Sequence, residues 1–300
     1  MSAEDRIERA RLLYERAVFD GDAGALATAD SELDVVEADL ALARGRVIHT
    51  RFLEQLDEDS GHQATVTREL ALFERAVELY RGLADVRGEG EALFWVGCFH
   101  QVINRDDQTA VPILERSREL AGQVGDKRTM SEALRHLGIA EHRAGRLGGA
   151  RERLEESARL RREIGLMPGV AADLVGLAYI AAADGRLDDF RALLAEAGAI
   201  AESTGAHRIM RQVEEARAHL LSMIECGSAI AYFGPERFPA YCRDDMRLTL
   251  AEAAASPRQL APTASCARST RPAPTTSRRC DHEGFVHLFD LDPSPGKNPS

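Results

Sequence analysis

The sequence is poor in aromatic residues, since Phe, Tyr and Trp make up 5% of its 300 residues and Trp occurs once. A β-sandwich needs aromatic and β-branched residues on its strands, and the chain has no β-branched alternating run of useful length. A core built from Ala, Leu, Ile and Val suits closely packed helices. With 44% hydrophobic and 29% charged residues, the composition is that of a folded protein, and we expect an all-α fold.

Paired cysteines and long apolar runs are also missing. The five cysteines are odd in number and widely spaced, and no CxxC pair occurs, which argues against a zinc knuckle or a dithiol redox motif. Reduced thiols in a cytoplasmic protein are the simplest interpretation. No run approaches 18 apolar residues, and the charged N-terminal stretch lacks the apolar core of an export signal. We therefore expect a cytoplasmic protein with no membrane partner.

An excess of positive charge is lacking as well. The net charge is −11, and nucleic-acid binding depends on Lys and Arg that neutralise phosphates. Residues 256–280 hold five Arg and no acid, and basic tails of this kind sometimes touch nucleic acid. The acidic balance of the whole chain nevertheless predicts that nucleic acid is not the partner.

The motifs of common enzyme chemistries are absent. The sequence contains no GxxxxGK[ST] or GxGxxG phosphate loop, no GxSxG elbow and no HExxH helix. Glu132 and His136 are four residues apart, as metal ligands on one helix can be, but their helix lacks a second ligand pair. Paired acids such as Asp106 and Asp107 are most simply solvated. We predict no enzyme activity, no catalytic residue, no metal site and no cofactor.

An internal repeat is the clearest positive signal. Gly138 aligns with Gly97 at an offset of 41, and Ala178 takes the same place one period later. Apolar residues at three- and four-residue spacing surround each position, so every unit is predicted to be helix A, a short turn and helix B. The small residue in helix A lets helix B approach closely. Because the offset falls from 41 to 40 further along, we expect one extra residue in the turn at 104–109.

Glycines mark the ends of the predicted B helices. Gly125, Gly165 and Gly205 recur at the period of the repeat and supply the left-handed residue that often closes a helix. The predicted helical domain spans 1–225. Its clearest repeats are at 88–126, 129–166 and 168–205, and a capping helix follows at 207–225. Upstream, we expect helices at Glu4–Phe19, Ala25–Asp39 and Val36–Gln55 and then an acidic loop at Leu56–His62.

This pattern resembles the tetratricopeptide repeat. The family's helix-A signature, a large residue followed by Leu-Gly, is matched by Leu93…Val96-Gly97, Leu134…Leu137-Gly138 and, with alanine for glycine, Leu174…Leu177-Ala178. The helix-B signature is matched loosely, and the usual closing proline is absent. The resemblance implies a right-handed superhelix of tandem helix-turn-helix repeats, an α-solenoid. Its long period is similar to that of bacterial signalling regulators.

The resemblance also implies a concave wall, formed by the A helices, that binds a protein or peptide. The candidate contact residues are Phe94, Gln101, Arg135, His142, Arg143 and Tyr179. A basic cluster of Arg135, His142 and Arg143 in an acidic protein would select an acidic or C-terminal carboxylate group. Packing between repeats and a solvated helix face are the alternative interpretations. The Lys/Asn arrangement of chaperone-binding family members is absent, which disfavours chaperone tails as ligands.

We therefore predict a non-catalytic scaffold or adaptor for a protein or peptide segment in bacterial regulation or complex assembly. A peptide-sensing regulator that changes shape on binding is the first alternative, and an enzyme accessory subunit is the second. After the repeats, residues 226–300 are rich in Pro, Ser, Thr and Arg, which predicts an irregular, largely disordered tail. The same composition is typical of GC-rich DNA translated out of frame, so a native tail and a frameshift product are both open.

Overall fold

The computed structural model describes residues 1–54 and 63–218, and within them every helix or strand assigned is an α-helix. The helices are α1 Ala3–Phe19, α2 Gly24–Glu54, α3 Gln63–Gly82, α4 Val86–Val102, α5 Asp107–Gln123, α6 Lys127–Arg143, α7 Leu147–Glu163, α8 Met167–Ala183, α9 Leu187–Thr204, and α10, described over 207–218. The predicted all-α class is confirmed. The predicted loop Leu56–His62, the last part of the capping helix (219–225) and the tail at 226–300 lie outside the described residues.

From α5 onward the helices begin at a constant spacing along the chain, at Asp107, Lys127, Leu147, Met167 and Leu187. Most turns hold three residues, whereas the turn between α4 and α5 holds four, so the predicted extra residue is present. One residue of each turn that the structure describes adopts a left-handed conformation, and from α5 onward it is always glycine: Gly125, Gly145, Gly165, Gly185 and Gly205. In the two preceding turns Ala84 and Arg105 adopt it without being glycine, with φ of 53° and 52°.

Each helix packs against the next one along the chain, which makes the fold an α-solenoid of stacked hairpins. Fewer contacts, which skip one helix, also join α2 to α4, α4 to α6 and α6 to α8. These four helices therefore form an inner layer, and α3, α5, α7 and α9 form an outer layer.

Small residues set the distance between the two helices of a hairpin. A Cβ atom on Gly97 would lie 2.7 Å from Leu114 Cγ, and a Cβ atom on Gly138 would lie 3.1 Å from Leu154 Cγ. The two leucines are separated by one period of the repeat, so the contacts are equivalent, as the repeat predicts. Ala178 is fully buried at the third position.

The N-terminal hairpin, which consists of α1 and α2, differs from the prediction. The helices predicted at Ala25–Asp39 and Val36–Gln55 are one continuous helix, α2, of 31 residues. No proline interrupts this segment, and its one internal glycine, Gly45, lies directly against the ring of Phe73. Gly45 therefore serves close packing of α3 on α2 and does not end the helix.

The single tryptophan, Trp95, connects this hairpin region to the stack that follows. Its ring on α4 stacks on Phe73 of α3, with centroids 5.6 Å apart, and meets His49 of α2 edge-on at 5.4 Å. The guanidinium carbon of Arg46 lies 5.5 Å from the centre of the Trp95 ring. Three helices therefore meet around one indole ring.

Candidate functional site

The inner layer was the predicted binding wall, but its helices α6 and α8 are buried along most of their length. Every residue of α6 from 131 to 140 and every residue of α8 from 169 to 178 is buried. Helices that are this closely packed on all sides form a core. An open lining is left only toward the ends of these helices.

The candidate contact residues divide accordingly into two groups. Phe94, Gln101 and Arg135 are 0%, 1% and 3% exposed, whereas His142, Arg143 and Tyr179 are half-buried. The structure corrects the first group, because these side chains are occupied inside the stack and have no surface for a partner. Phe94, for example, packs edge-on against the His136 ring, with centroids 5.3 Å apart.

Arg135 belongs to a buried ionic cluster that joins two neighbouring hairpins. Asp173 Oδ1 on α8 accepts hydrogen bonds from Arg135 Nη1 on α6 at 3.1 Å and from Arg161 Nη1 on α7 at 3.3 Å. Ser157 Oγ lies 2.8 Å from the other carboxylate oxygen of Asp173, and Arg161 also donates to the backbone oxygen of Gly169 at 3.0 Å. The charge of Arg135 is thus neutralised internally, so it cannot select a ligand carboxylate as predicted.

Gln101 is the centre of a second buried polar network. Its Nε2 donates to Asp107 Oδ1 at 2.9 Å and to the backbone oxygen of His136 at 3.1 Å. These two acceptors fix the orientation of the amide, so Gln101 Oε1 must accept the third bond, from His136 Nδ1 at 2.6 Å. The proton of neutral His136 therefore resides on Nδ1, and its Nε2 faces Cys98 Sγ at 3.9 Å.

A second histidine approaches the same thiol from the other side. His49 Nε2 on α2 lies 3.8 Å from Cys98 Sγ, and His49 Nδ1 lies 2.7 Å from Glu69 Oε1 on α3. In some enzymes a cysteine acts as the nucleophile, a neighbouring histidine acts as its base, and a carboxylate orients the histidine. Here all three are buried, and Cys98 is only 3% exposed, which withholds the thiol from large substrates.

Burial determines the protonation of two titratable groups in this layer. Burial lowers the pKa of His136 well below its ordinary 6.5, and the positive charges of Arg135 and Arg161 lower it further. Burial also raises the pKa of Tyr179 far above its ordinary value of 10. Both groups are therefore neutral at physiological pH. Among the described residues, no group of three or more His, Cys, Asp or Glu could hold a metal ion.

A groove of about 430 Å³ lies between the start of α5 and the end of α6. It is lined by Asp107, Gln108, Val111, Pro112, Ala140, Arg143, Ala144 and Arg146. Arg143 Nη1 donates to Asp107 Oδ1 at 3.1 Å across the groove. Here a predicted contact residue, Arg143, borders an open surface with apolar walls.

Sequence reasoning missed the two buried networks. Asp173 carried a usable signal, because it is the only charged residue between Gly169 and Asp184 and a carboxylate in such a run needs a buried partner. No comparable signal identified Arg161, which lies in a helix rich in arginine. His49 and Glu69 come from different helices, and nothing in their spacing links them.

Comparisons with known proteins add no assignment, since no protein-family model and no curated protein matches the chain. In the described part of the chain, no helix has the combination of length and apolar character that crossing a membrane requires.

Proposed function

We propose that this chain is a non-catalytic scaffold of the tetratricopeptide type that holds a protein or peptide segment in the cytoplasm, in regulation or complex assembly. The observation that supports this proposal is the stack of equivalent hairpins, which creates an extended surface. The buried networks around Asp173 and Gln101 connect neighbouring hairpins. Neither a cofactor, a membrane nor a nucleic acid is part of the proposal.

The partner contacts the ends of the inner helices, where His142, Arg143 and Tyr179 are half-buried and the groove between α5 and α6 opens. Arg143 is already paired with Asp107, and that carboxylate is about a third exposed. An acidic group of the partner would compete with Asp107 for the guanidinium. Val111 and Pro112 provide apolar contacts beside it.

The test uses the full chain and two matched variants. Arg143→Glu reverses a charge in the groove, and Arg159→Glu reverses a charge on the exposed side of α7. Proteins retained by the immobilised chain are identified, and the best candidate is produced and titrated by calorimetry. We expect Arg143→Glu to weaken binding by roughly tenfold or more, whereas Arg159→Glu has little effect. Equal binding by both variants would exclude the groove, and no specific binding to wild type would reject the scaffold proposal.

The buried networks favour a static adaptor over a peptide sensor. The cluster around Asp173 joins α6, α7 and α8, and moving these helices apart would break its ion pairs and hydrogen bonds. Small-angle scattering with and without the identified partner distinguishes the two functions. An adaptor keeps its own radius of gyration in the complex, whereas a sensor becomes more compact.

A further inference from the structure

The first two helices carry most of the exposed apolar surface of the described residues. Ten of the twelve large hydrophobic side chains that are exposed there lie within residues 1–47, and the other two, Val124 and Ile164, are in turns. Exposed apolar surface that is concentrated in one place marks an interaction site more often than scattered residues do.

On α2 this surface is a regular stripe. Leu26, Leu33, Leu40 and Val47 recur every seven residues and are 44–51% exposed. A straight helix drifts by about 20° per heptad, so these four side chains stay on one side of α2, as the residues of a coiled-coil seam do. α2 has 31 residues, against 17 in each helix from α4 to α8, and its stripe extends over three seven-residue intervals, from Leu26 to Val47.

α1 widens this stripe. Ile7, Tyr14 and Val18 are more than half exposed and share one side of the helix. Arg9, on another side of α1, reaches Glu32 on the edge of α2 that is away from the leucines. Helical geometry therefore places Ile7, Tyr14 and Val18 on the same side of the hairpin as the stripe. We call this combined surface the outer face; among the described helices, none packs closely on it.

Charged residues beside the stripe indicate the occupant. Asp30, Glu37, Arg44 and Arg51 also recur every seven residues, with the acids in the first half of α2 and the bases in the second. Two α2 helices that run antiparallel would place Asp30 opposite Arg51 and Glu37 opposite Arg44. Both pairs have the same midpoint along α2, so a single antiparallel register forms both ion pairs at once. A parallel arrangement would place like charges side by side.

Three of these four charges are available for such pairs. Asp30, Arg44 and Arg51 are exposed and form no ion pair within the described part of the chain. Glu37 accepts a hydrogen bond from Arg75 Nε at 2.8 Å, but its side chain remains 52% exposed. The charge pattern therefore complements itself under a two-fold axis.

The area is also of the right size. The seven apolar side chains of the outer face expose roughly 600 Å² per copy, to which the flanking charged residues add, and a standard interface buries about 800 Å² per partner. We propose that the outer face binds a second copy of this chain, in a two-fold dimer in which α2 packs antiparallel against α2 of the partner.

The first experiment is sedimentation velocity of the full chain over a range of concentrations up to about 100 μM. We expect a dimer, and we expect the double variant Leu33→Asp/Leu40→Asp to sediment as a monomer with an unchanged far-UV circular dichroism spectrum. The matched control is Val124→Asp, which alters an exposed apolar residue elsewhere and should remain dimeric. A monomeric wild type, or a double variant that stays dimeric, would overturn the proposal.

A charge exchange tests the antiparallel register and does not depend on the leucine variants. Arg44→Glu/Arg51→Glu makes the flank entirely acidic, and Asp30→Arg/Glu37→Arg makes it entirely basic. Each variant alone should dimerise at least about tenfold more weakly than wild type because like charges face each other. Mixed, the two should form a heterodimer in which all pairs are restored. Failure of the mixture to associate better than either variant alone would reject this register.

Discussion

The N-terminal hairpin and the stack from α4 to α9 use the same elements in different ways. In the stack, helices of nearly equal length alternate at a nearly constant spacing, and the inner helices bury ionic and polar networks. In the hairpin, α2 is almost twice as long, and its apolar residues are turned outward. The comparison indicates that the stack uses its polar residues to join neighbouring hairpins. The hairpin uses exposed apolar residues, with complementary charges beside them, to join another molecule.

The largest expected effect comes from breaking the ionic cluster of the stack. Asp173→Ala leaves Arg135 and Arg161 buried without their shared carboxylate, which should lower the free energy of unfolding by about 3–5 kcal/mol. Chemical denaturation, followed by circular dichroism, measures this free energy of unfolding. Glu152→Ala, on α7 outside the buried cluster, is the control and should change stability by less than about 0.5 kcal/mol. Similar losses in both variants would show that the cluster does not stabilise the stack.

A smaller effect is expected where the repeat requires a small residue. Gly97→Ala forces a methyl group against Leu114 and should cost about 1–3 kcal/mol. Gly138→Ala should cost less, because Leu154 leaves slightly more space. Gly122→Ala, at an open position on α5, should stabilise by about 0.5–1 kcal/mol, since alanine favours the helix. In a Leu114→Ala background the cost of Gly97→Ala should largely disappear; an unchanged cost would contradict the packing argument.

The protonation of His136 should make the stack sensitive to acid. Its pKa is lowered in the folded protein by burial, whereas in the unfolded chain it is about 6.5. Below about pH 6.5 the unfolded chain binds a proton that the folded protein does not, so stability falls with decreasing pH, by up to about 1.4 kcal/mol per pH unit. His136→Gln removes this contribution. We expect denaturation midpoints measured from pH 7 to pH 5 to fall more steeply in wild type than in the variant, and equal slopes would be inconsistent with a buried neutral His136.

The smallest expected effect distinguishes the turns that begin the stack from those within it. Arg105→Gly and Ala84→Gly relieve a left-handed conformation that costs a side chain about 1 kcal/mol, so each should raise the melting temperature slightly. Gly165→Ala introduces that cost and should lower stability by about 1 kcal/mol. Differential scanning calorimetry of the three variants measures the difference. A melting temperature that falls in all three would mean that the turn conformation is not the controlling factor.

The sequence was sufficient for the class of fold and for much of the repeat. Gly97 and Gly138 were found because a small residue is required at one place in each hairpin, and packing of this kind repeats with the chain. The glycine-terminated turns and the extra residue between α4 and α5 follow from local backbone rules that act over a few residues. These features therefore depend on residues that are close to them in the sequence.

The candidate site was less accessible to sequence reasoning. The alignment of the repeats predicts that Phe94, Gln101 and Arg135 lie on the inner helices, but it does not show how closely successive inner helices approach each other. Arg135 and Asp173 are far apart in the sequence and pair only because α6 and α8 adjoin in the stack. Likewise, Gly45 of α2 lies directly against Phe73 of α3, a contact between two helices that a local pattern does not contain.

The position of Trp95 gives the molecule a built-in optical reporter. Its indole is the only one in the sequence, and its neighbours Phe73, His49 and Arg46 all belong to α2 and α3. Separation of these helices from α4 would admit water to the ring and shift its emission to longer wavelengths. Fluorescence of the unlabelled protein therefore follows events at this single junction, while circular dichroism records the helices as a whole.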